Sequence, residues 1–403
     1  MMPNPTCFLI KKLTISCTFD FNTMNLTEEL AWIEISESRL THNISKIASL
    51  LNGVEHVCAV VKGNAYGHGI KTMVPLMMKN GIQKFAVYHP EEAFEVRKAG
   101  GADCLIILLG YAPKALIPLL SQHHIDCMLL NPSRIQEIQE CVPEDSILHM
   151  HLKIDTGMAR FGITPNELPN FLSELKSVTK IRLTGAATHF ANAWNMADGT
   201  YARQQHEKFI KAVDVIESEY GALTHIHIDN TAGVFNFPEY KCSFARVGIG
   251  LYGYYPTLEL KSHFERAVQL KPILAYRTRV VSLKWLKAGE YAGYDITFKA
   301  ERPTRIALAP IGYSDGFPFA HSDKGTFVII NGHRTSLIGR VNMNAIFLDV
   351  TDVDDVVLGS VITLLGQDVD QKISAWDWLE WGTPHLYEAL TSLRASLPKI
   401  VTA

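Results

Sequence analysis

Eight short apolar runs, each followed by a stretch with helical character, fill the chain from about residue 30 to 265. They are "VCAVV" (57–61), "FAVY" (85–88), "CLIILLG" (104–110), "DCMLL" (126–130), "LHMHLKID" (148–155), "IRLTGAATH" (181–189), "HIHID" (225–229) and "ARVGIGLYG" (245–253). Intervening segments such as "PEEAFEVRKAGG" place Glu and Ala early and glycine after the last turn, the order expected of a helix. Strands that alternate with helices must lie parallel, because only a helical crossover returns the chain to the same edge. Eight such units predict an α/β fold of the (β/α)8 barrel type. An open doubly wound sheet is the fallback, and no G-x-G-x-x-G follows the first strand to favour it.

After about residue 268 the texture changes. "ILAYRTRVVSLKWL", "TRIALAPIG", "TFVIING", "AIFLDV" and "SVITLLG" are strand-like runs parted by Gly, Asp and Asn, with helical character returning only in "DQKISAWDWLEWGTPHLYEALTSL". The predicted organisation is an N-terminal extension at 1–28, a barrel at 29–267 and a mostly β domain at 268–403.

The 403 residues carry a net charge of −3, which gives no basic patch for nucleic acid or an acidic membrane surface. Seven scattered cysteines without a C-x-x-C pair argue against a disulfide framework or a zinc site, and for a reducing cytoplasm. "FLIKKLTISCTF" (Phe8–Phe19) is interrupted by Lys11 and Lys12, so an export signal is not expected. Met24 is followed at once by globular sequence, and residues 1–23 read as an extension or a misassigned start. No run approaches the ~20 apolar residues of a membrane span.

Side chains on a strand alternate faces. In "HMHLKID" one face carries His149, His151, Lys153 and Asp155, and in "HIHID" one face carries His225, His227 and Asp229. Packing the apolar faces under helices turns these polar residues into the barrel, where branched apolar side chains are usual. A cofactor site and a satisfied internal polar network account for this equally well. Lys62 stands at the C-terminal end of the first barrel strand, where burial would free its amine for covalent chemistry. Alone, it is better read as a snorkelling surface lysine. Gly248 and Gly250 follow Arg246 on the last strand, where backbone N–H groups of barrels commonly approach a phosphate, and "IDNTAG" adds Asn230 and the Thr231 hydroxyl beside them. Each glycine alone is a plain turn. The combination of phosphate site and strand-end lysine points to pyridoxal 5′-phosphate.

The motifs "AVVKGNAYGHG", "KIDTGMARFG" (153–162), "THFANA" (188–193), "IDNTAG", "RVGIGLYG" (246–253), "AGYDITF" (292–298), "APIGYSDGFP" (309–318) and "IGRVNMN" (338–344) together resemble the alanine racemase family, in family order, over roughly residues 30–403. The resemblance implies a pyridoxal-phosphate enzyme of fold type III that interconverts L- and D-alanine by two bases, supplying D-alanine for bacterial peptidoglycan. Lys62 would be the Schiff-base lysine and the base for the D-face. Tyr294 would be the opposite base, contributed by the other subunit of a head-to-tail homodimer. His189 would hydrogen-bond that tyrosine and contact Arg246, which would face the pyridine nitrogen and weaken the ring as an electron sink. Tyr66, Asn230, Thr231, Gly248 and Ile249 would hold the cofactor, mainly at its phosphate. Arg160, Tyr313 and the Met343 backbone would line the substrate site, and Lys153 matches a lysine that is carbamylated in many members. No metal, nucleic acid or membrane is implied.

Three positions depart from the family pattern: Asn344 stands where aspartate is common, Asp295 replaces a glycine, and Ala395–Ser396 replace a Tyr-Arg pair credited with phosphate binding. The last leaves no phosphate contact expected from the C-terminal segment. A serine or broad-specificity racemase is the alternative on substrate, since one methylene discriminates by only ~1–3 kcal/mol. A fold-type III decarboxylase is not expected to carry "AGYDITF", and a non-catalytic pyridoxal-phosphate protein is the reading from a different class.

Overall fold

The computed structural model describes residues 29–240 and 242–403. The expected N-terminal extension, 1–28, lies outside the described residues. The first strand, β1 (Ala31–Ser36), leads into a helix over Glu37–Leu50. Ser36 opens that helix by accepting a hydrogen bond from the Arg39 backbone at 3.3 Å, and Leu40, Ile44 and Ile47 form its buried stripe.

The barrel strands are β2 (Val57–Val60), β3 (Lys84–Val87), β4 (Leu105–Leu108), β5 (Ile125–Leu129), β6 (Leu148–Lys153), β7 (Ile181–Ala187), β8 (His225–His227) and β9 (Ala245–Val247). Neighbours pair in parallel from β8 back to β2, and β2 then pairs with β9. Backbone hydrogen bonds from Ser243 to Ile226 (2.8 Å) and from Arg246 to Asp229 (3.0 Å) bridge β8 and β9, which nearly closes the barrel. Such parallel strands are buried on both sides, which is why they read as continuous apolar runs. The eight runs of the sequence correspond to these eight strands.

The second sheet is mixed and includes β10 (Leu274–Arg279) and a last strand over Lys399–Thr402. β1 does not join the barrel: it pairs antiparallel with β10, Ile33 opposite Tyr276, and parallel with the last strand, Ile33 opposite Lys399. The chain thus enters through the β domain, and the barrel is inserted between two strands of the same sheet. Among the described residues, no helix is long and apolar enough to cross a membrane.

The polar faces of β6 and β8 divide. His151 and His227 are fully buried inside the barrel, whereas the His149 side chain is 47% exposed at the strand start. Asp155 leaves the interior too. Its Oδ1 accepts hydrogen bonds from the backbones of Gly157, Met158 and Ala159 at 2.9–3.1 Å and shapes the turn that leads to Arg160.

Candidate active site

Lys62 emerges from β2 at the barrel mouth, and the next four residues do something proteins rarely do. Gly63, Asn64, Ala65 and Tyr66 all have positive φ, between 52° and 63°, forming one left-handed turn. Three of them carry a Cβ, at a cost of roughly 1–2 kcal/mol each. The surroundings hold the turn in place. The Asn64 backbone donates to Glu92 Oε1 at 3.0 Å, and the Asn64 side chain accepts from the Ile70 backbone at 3.0 Å. The Gly67 and Gly69 backbones donate back to Gly63 and Asn64 at 2.9 Å. Gly67 is obligatory here: at φ 81°, a Cβ would lie 2.1 Å from the carbonyl oxygen of Leu390.

This turn sets Lys62 and Tyr66 on the wall of a cavity of about 1120 Å³, counted with its open mouth. Ten of the residues singled out in the sequence meet on its walls: Lys62, Tyr66, Lys153, Arg160, His189, Asn230, Thr231, Arg246, Gly248 and Ile249. Their sources are five different strand ends, the usual construction of a barrel site. Four carry basic side chains, and no Asp or Glu lines the cavity among the described residues. Burial lowers the Lys62 ammonium pKa, and the Arg160 and Arg246 guanidiniums push it further down, with Glu92 opposing. Lys153 is brought well below its usual range by burial, Arg246 and Arg160. Burial, and then the same four basic groups, hold His189 well below its usual range, which favours the neutral ring.

Arg246 is fastened on all sides. Nη1 donates to His227 Nδ1 (2.5 Å) and the His227 carbonyl (3.0 Å), and Nη2 donates to the carbonyls of Thr188 (2.8 Å) and Ile228 (3.1 Å) and to His189 Nδ1 (3.0 Å). A guanidinium only donates, so His189 Nδ1 must accept and the His189 proton sits on Nε2. Gly248 provides room beside Tyr66: a Cβ there would lie 2.3 Å from the Tyr66 hydroxyl. Asn230 Oδ1 accepts from the Gly233 backbone at 3.0 Å and opens the short helix that starts at Thr231.

Tyr294, Tyr313 and Met343 do not line this cavity. They sit on the β domain, 70%, 45% and 55% exposed. Tyr313 and Met343 lie on touching backbone segments, since the Tyr313 and Ser314 backbones donate to Asn342 and Met343 at 3.2 and 3.1 Å. Asp295, the departure beside Tyr294, pairs with Arg340, and Asn344 donates to Ser314 at 2.6 Å.

Sequence reasoning missed Tyr387. It lines the cavity with its ring 5.9 Å from that of Tyr66 and burial raises its phenol to about 12, so it stays a neutral donor. The C-terminal segment therefore does reach the cavity, through "HLYEAL" rather than through Ala395, whose carbonyl instead accepts from Lys399 at 2.6 Å. Nothing in the local pattern of "HLYEAL" separates this tyrosine from a core aromatic; only the packing of that short helix against the barrel mouth does. Trp194 and Thr188, in the segment after β7, also stand on the walls and were not assigned a role.

Comparison with known proteins gives a consistent result. Family models described as "Alanine racemase, N-terminal domain" and "Alanine racemase, C-terminal domain" match residues 35–256 and 273–401. The alanine racemase of Leptospira interrogans is 33% identical over 378 residues, 92% of this chain and 95% of that protein. The alanine racemase of Clostridium tetani is 33% identical over 346 residues, 85% of this chain and 88% of that protein. Among solved structures, the alanine racemase of Bacillus anthracis with bound L-Ala-P superposes with a TM-score of 0.86 at 27% identity, covering 93% of this chain and 95% of that one. A histidine racemase from Leuconostoc mesenteroides superposes with a TM-score of 0.82 at 26% identity, covering 94% of this chain and all of that one. Both domains, in order and nearly whole, match one family, and this chain belongs to the alanine racemases.

Proposed function

We propose that this protein interconverts L- and D-alanine with pyridoxal 5′-phosphate, using Lys62 and a second copy's Tyr294 as opposed bases. The family is pyridoxal-phosphate dependent. The observation that carries the reading is a cavity lined by four basic side chains and, among the described residues, no acid, with a partly buried lysine of lowered basicity on its wall. Such a site needs an anionic guest, and the space beside Gly248 and Tyr66 fits a phosphate. Tyr66, Thr231, Gly248, Ile249 and Tyr387 would hold that phosphate, and Lys62 would be the covalent anchor. When bound, the cofactor supplies an electron sink for the pair released at the substrate Cα.

The remaining steps belong to the chain. Lys62, whose ammonium form is disfavoured by burial and two guanidiniums, takes or returns the Cα proton on one face. Arg160 pairs with the substrate carboxylate and fixes Cα above the amine. His189, with its proton on Nε2, donates to the phenolic oxygen of the partner's Tyr294 and favours the phenolate that acts on the other face. The Arg246 Nε–H has no protein acceptor among the described residues and would be the donor left for the cofactor's ring nitrogen; a guanidinium there would disfavour protonation of that nitrogen and so would restrain the sink the cofactor supplies. Lys153, deprotonated more easily than an ordinary lysine, is suited to carbamylation that would add the missing anion beside Arg160.

We infer a homodimer and a cytoplasmic setting from the same reading. Exposed Tyr294, Tyr313 and Met343 form a face with no use in one chain alone, and the described cysteines are all free. The product would serve peptidoglycan synthesis. The likeness to a histidine racemase keeps substrate breadth in view. Incubation with L-alanine, L-serine, L-histidine and L-lysine followed by chiral analysis tests the assignment. D-alanine as the dominant product is expected; decarboxylation, or no enantiomer formed from any of them, would refute it. In D2O, Tyr294→Phe is expected to lose Cα exchange mainly from L-alanine, and Lys62→Ala to abolish turnover both ways.

A further inference from the structure

Behind Arg246, away from the cavity, a line of buried groups crosses the barrel interior. His227 Nε2 lies 2.7 Å from His151 Nδ1, and His151 Nε2 lies 3.1 Å from Asp126 Oδ2. With the 2.5 Å contact from Arg246 Nη1 to His227 Nδ1, four residues from β9, β8, β6 and β5 are joined end to end. All four are buried.

The chemistry of the two ends dictates where every proton is. A guanidinium offers only donors and a carboxylate only acceptors. His227 Nδ1 must therefore accept from Arg246, which leaves its proton on Nε2. That proton points at His151 Nδ1, so His151 also carries its proton on Nε2, facing Asp126. Each link is satisfied in this one polarity. Reversing it puts a His227 proton on Nδ1 against an Arg246 N–H, and an imidazolium at His227 makes the same clash. Burial and the Arg246 charge hold the His227 pKa well below its usual range, in keeping with a neutral ring. Three further groups touch the far end: Thr184 Oγ1 donates to Asp126 Oδ2 at 3.2 Å, His149 Nδ1 is 3.8 Å from Oδ1, and the His225 ring is 5.3 Å from that of His151.

We propose that Asp126 and His151 are positioning residues for Arg246: the carboxylate fixes both imidazole tautomers and so keeps His227 Nδ1 an acceptor that holds the guanidinium in place. Nη1 and Nη2 are both committed to protein acceptors, and only the Nε–H is left for a ligand. A proton on His227 Nδ1 would push Nη1 away and swing Nε with it. Asp126 thereby acts on the cavity from the opposite end of the barrel. The tautomer assignment is independent of the racemase reading; the expected effect on turnover rests on it.

Neutron diffraction from deuterated crystals of the wild-type holoprotein reads the assignment directly. Deuterium is expected on Nε2 of both His151 and His227 and on neither Nδ1. Deuterium on His227 Nδ1 overturns the proposal, whatever the protein catalyses. For the effect on turnover, Asp126→Leu removes the terminal acceptor, while Asp126→Asn keeps a carbonyl at the same position. Asp126→Leu is expected to lower kcat for alanine about 10–100-fold, the size of loss seen when a carboxylate orienting a metal-bound histidine is removed. KM is expected to stay within about two-fold, because Arg246 acts on the transition state. Asp126→Asn is expected to restore most of the loss. Unchanged kcat in Asp126→Leu, or equal losses in both variants, contradicts the positioning role. The neutron measurement stands whether or not Asp126→Leu folds.

Discussion

Gly248 shows how much of this site is made by leaving an atom out. The Tyr66 hydroxyl occupies the place where a Gly248 methyl would go, and the Tyr66 ring is held between Tyr252, 4.9 Å away, and Tyr387. It has no free direction to retreat. Gly248→Ala is therefore expected to weaken pyridoxal-phosphate binding at least about 10-fold, roughly one lost hydrogen bond to a charged group. Because the displaced Tyr66 ring belongs to the core, a stability loss of about 1–3 kcal/mol from overpacking is expected beside the weaker binding. Spectrophotometric titration of the apoprotein checks this, and unchanged affinity would remove Gly248 from the phosphate cradle. At this scale the sequence was informative where chemistry dictates residue type. Lysine, arginine and glycine at strand ends are unusual enough to be noticed. Tyr387 was not noticed, since a tyrosine in a short helix looks the same whether it faces a core or a cofactor. The order of the His151–His227 pair was half visible: alternation put both inside the barrel, but the proton order follows only from distances.

The left-handed turn after Lys62 is an element that the sequence names but does not explain. "KGNAYGHG" advertises flexibility through its glycines, yet the strained positions include Asn64, Ala65 and Tyr66. Strain of this kind persists only when its surroundings over-determine it, and Glu92 is the main fastener. Its carboxylate accepts from the Asn64, Tyr88 and His89 backbones at 3.0–3.2 Å, tying the Lys62 turn to the loop after β3. Glu92→Ala is expected to cost about 1–3 kcal/mol through the donors it strands. It is also expected to weaken cofactor retention, because Lys62 would no longer be aimed. Denaturant unfolding and cofactor titration of the same variant separate the two effects; loss of stability with unaltered retention would mean the turn holds without Glu92. Strands were legible as elements, since period and length are local properties. Their partners were not: residues 31–36 fall inside the predicted barrel range 29–267, and nothing in "AWIEIS" marks that its neighbours are Leu274–Arg279 and Lys399–Thr402 instead. That choice is made by long-range pairing.

For the whole molecule, burying so many neutral histidines has a consequence for stability. His68, His225 and His321 are pulled down to about 4 by burial, and His189 and His227 lie well below their usual range. A base with a lowered folded pKa leaves more protons on the unfolded chain. The histidine contribution to stability is therefore full above about pH 6.5 and is lost as pH falls from there toward the folded values. Calorimetry is expected to show Tm falling as pH drops from about 6.5 toward 5, less steeply in His227→Gln; an equal fall in both proteins would remove His227 from this effect. A second consequence concerns assembly. Lys62 faces the cavity of its own chain, while Tyr294 stands on an exposed surface that no contact in that chain explains. If each site takes its tyrosine from a second copy, two inactive variants must complement. Co-refolding Lys62→Ala with Tyr294→Phe yields mixed dimers in which one barrel keeps its lysine and receives an intact tyrosine. Half of a random mixture is mixed and one site in two is whole, so about a quarter of wild-type activity is expected. A tyrosine acting within its own chain gives no recovery at all, because neither variant then holds both groups. The recovered fraction thus reads directly whether the catalytic unit is one chain or two.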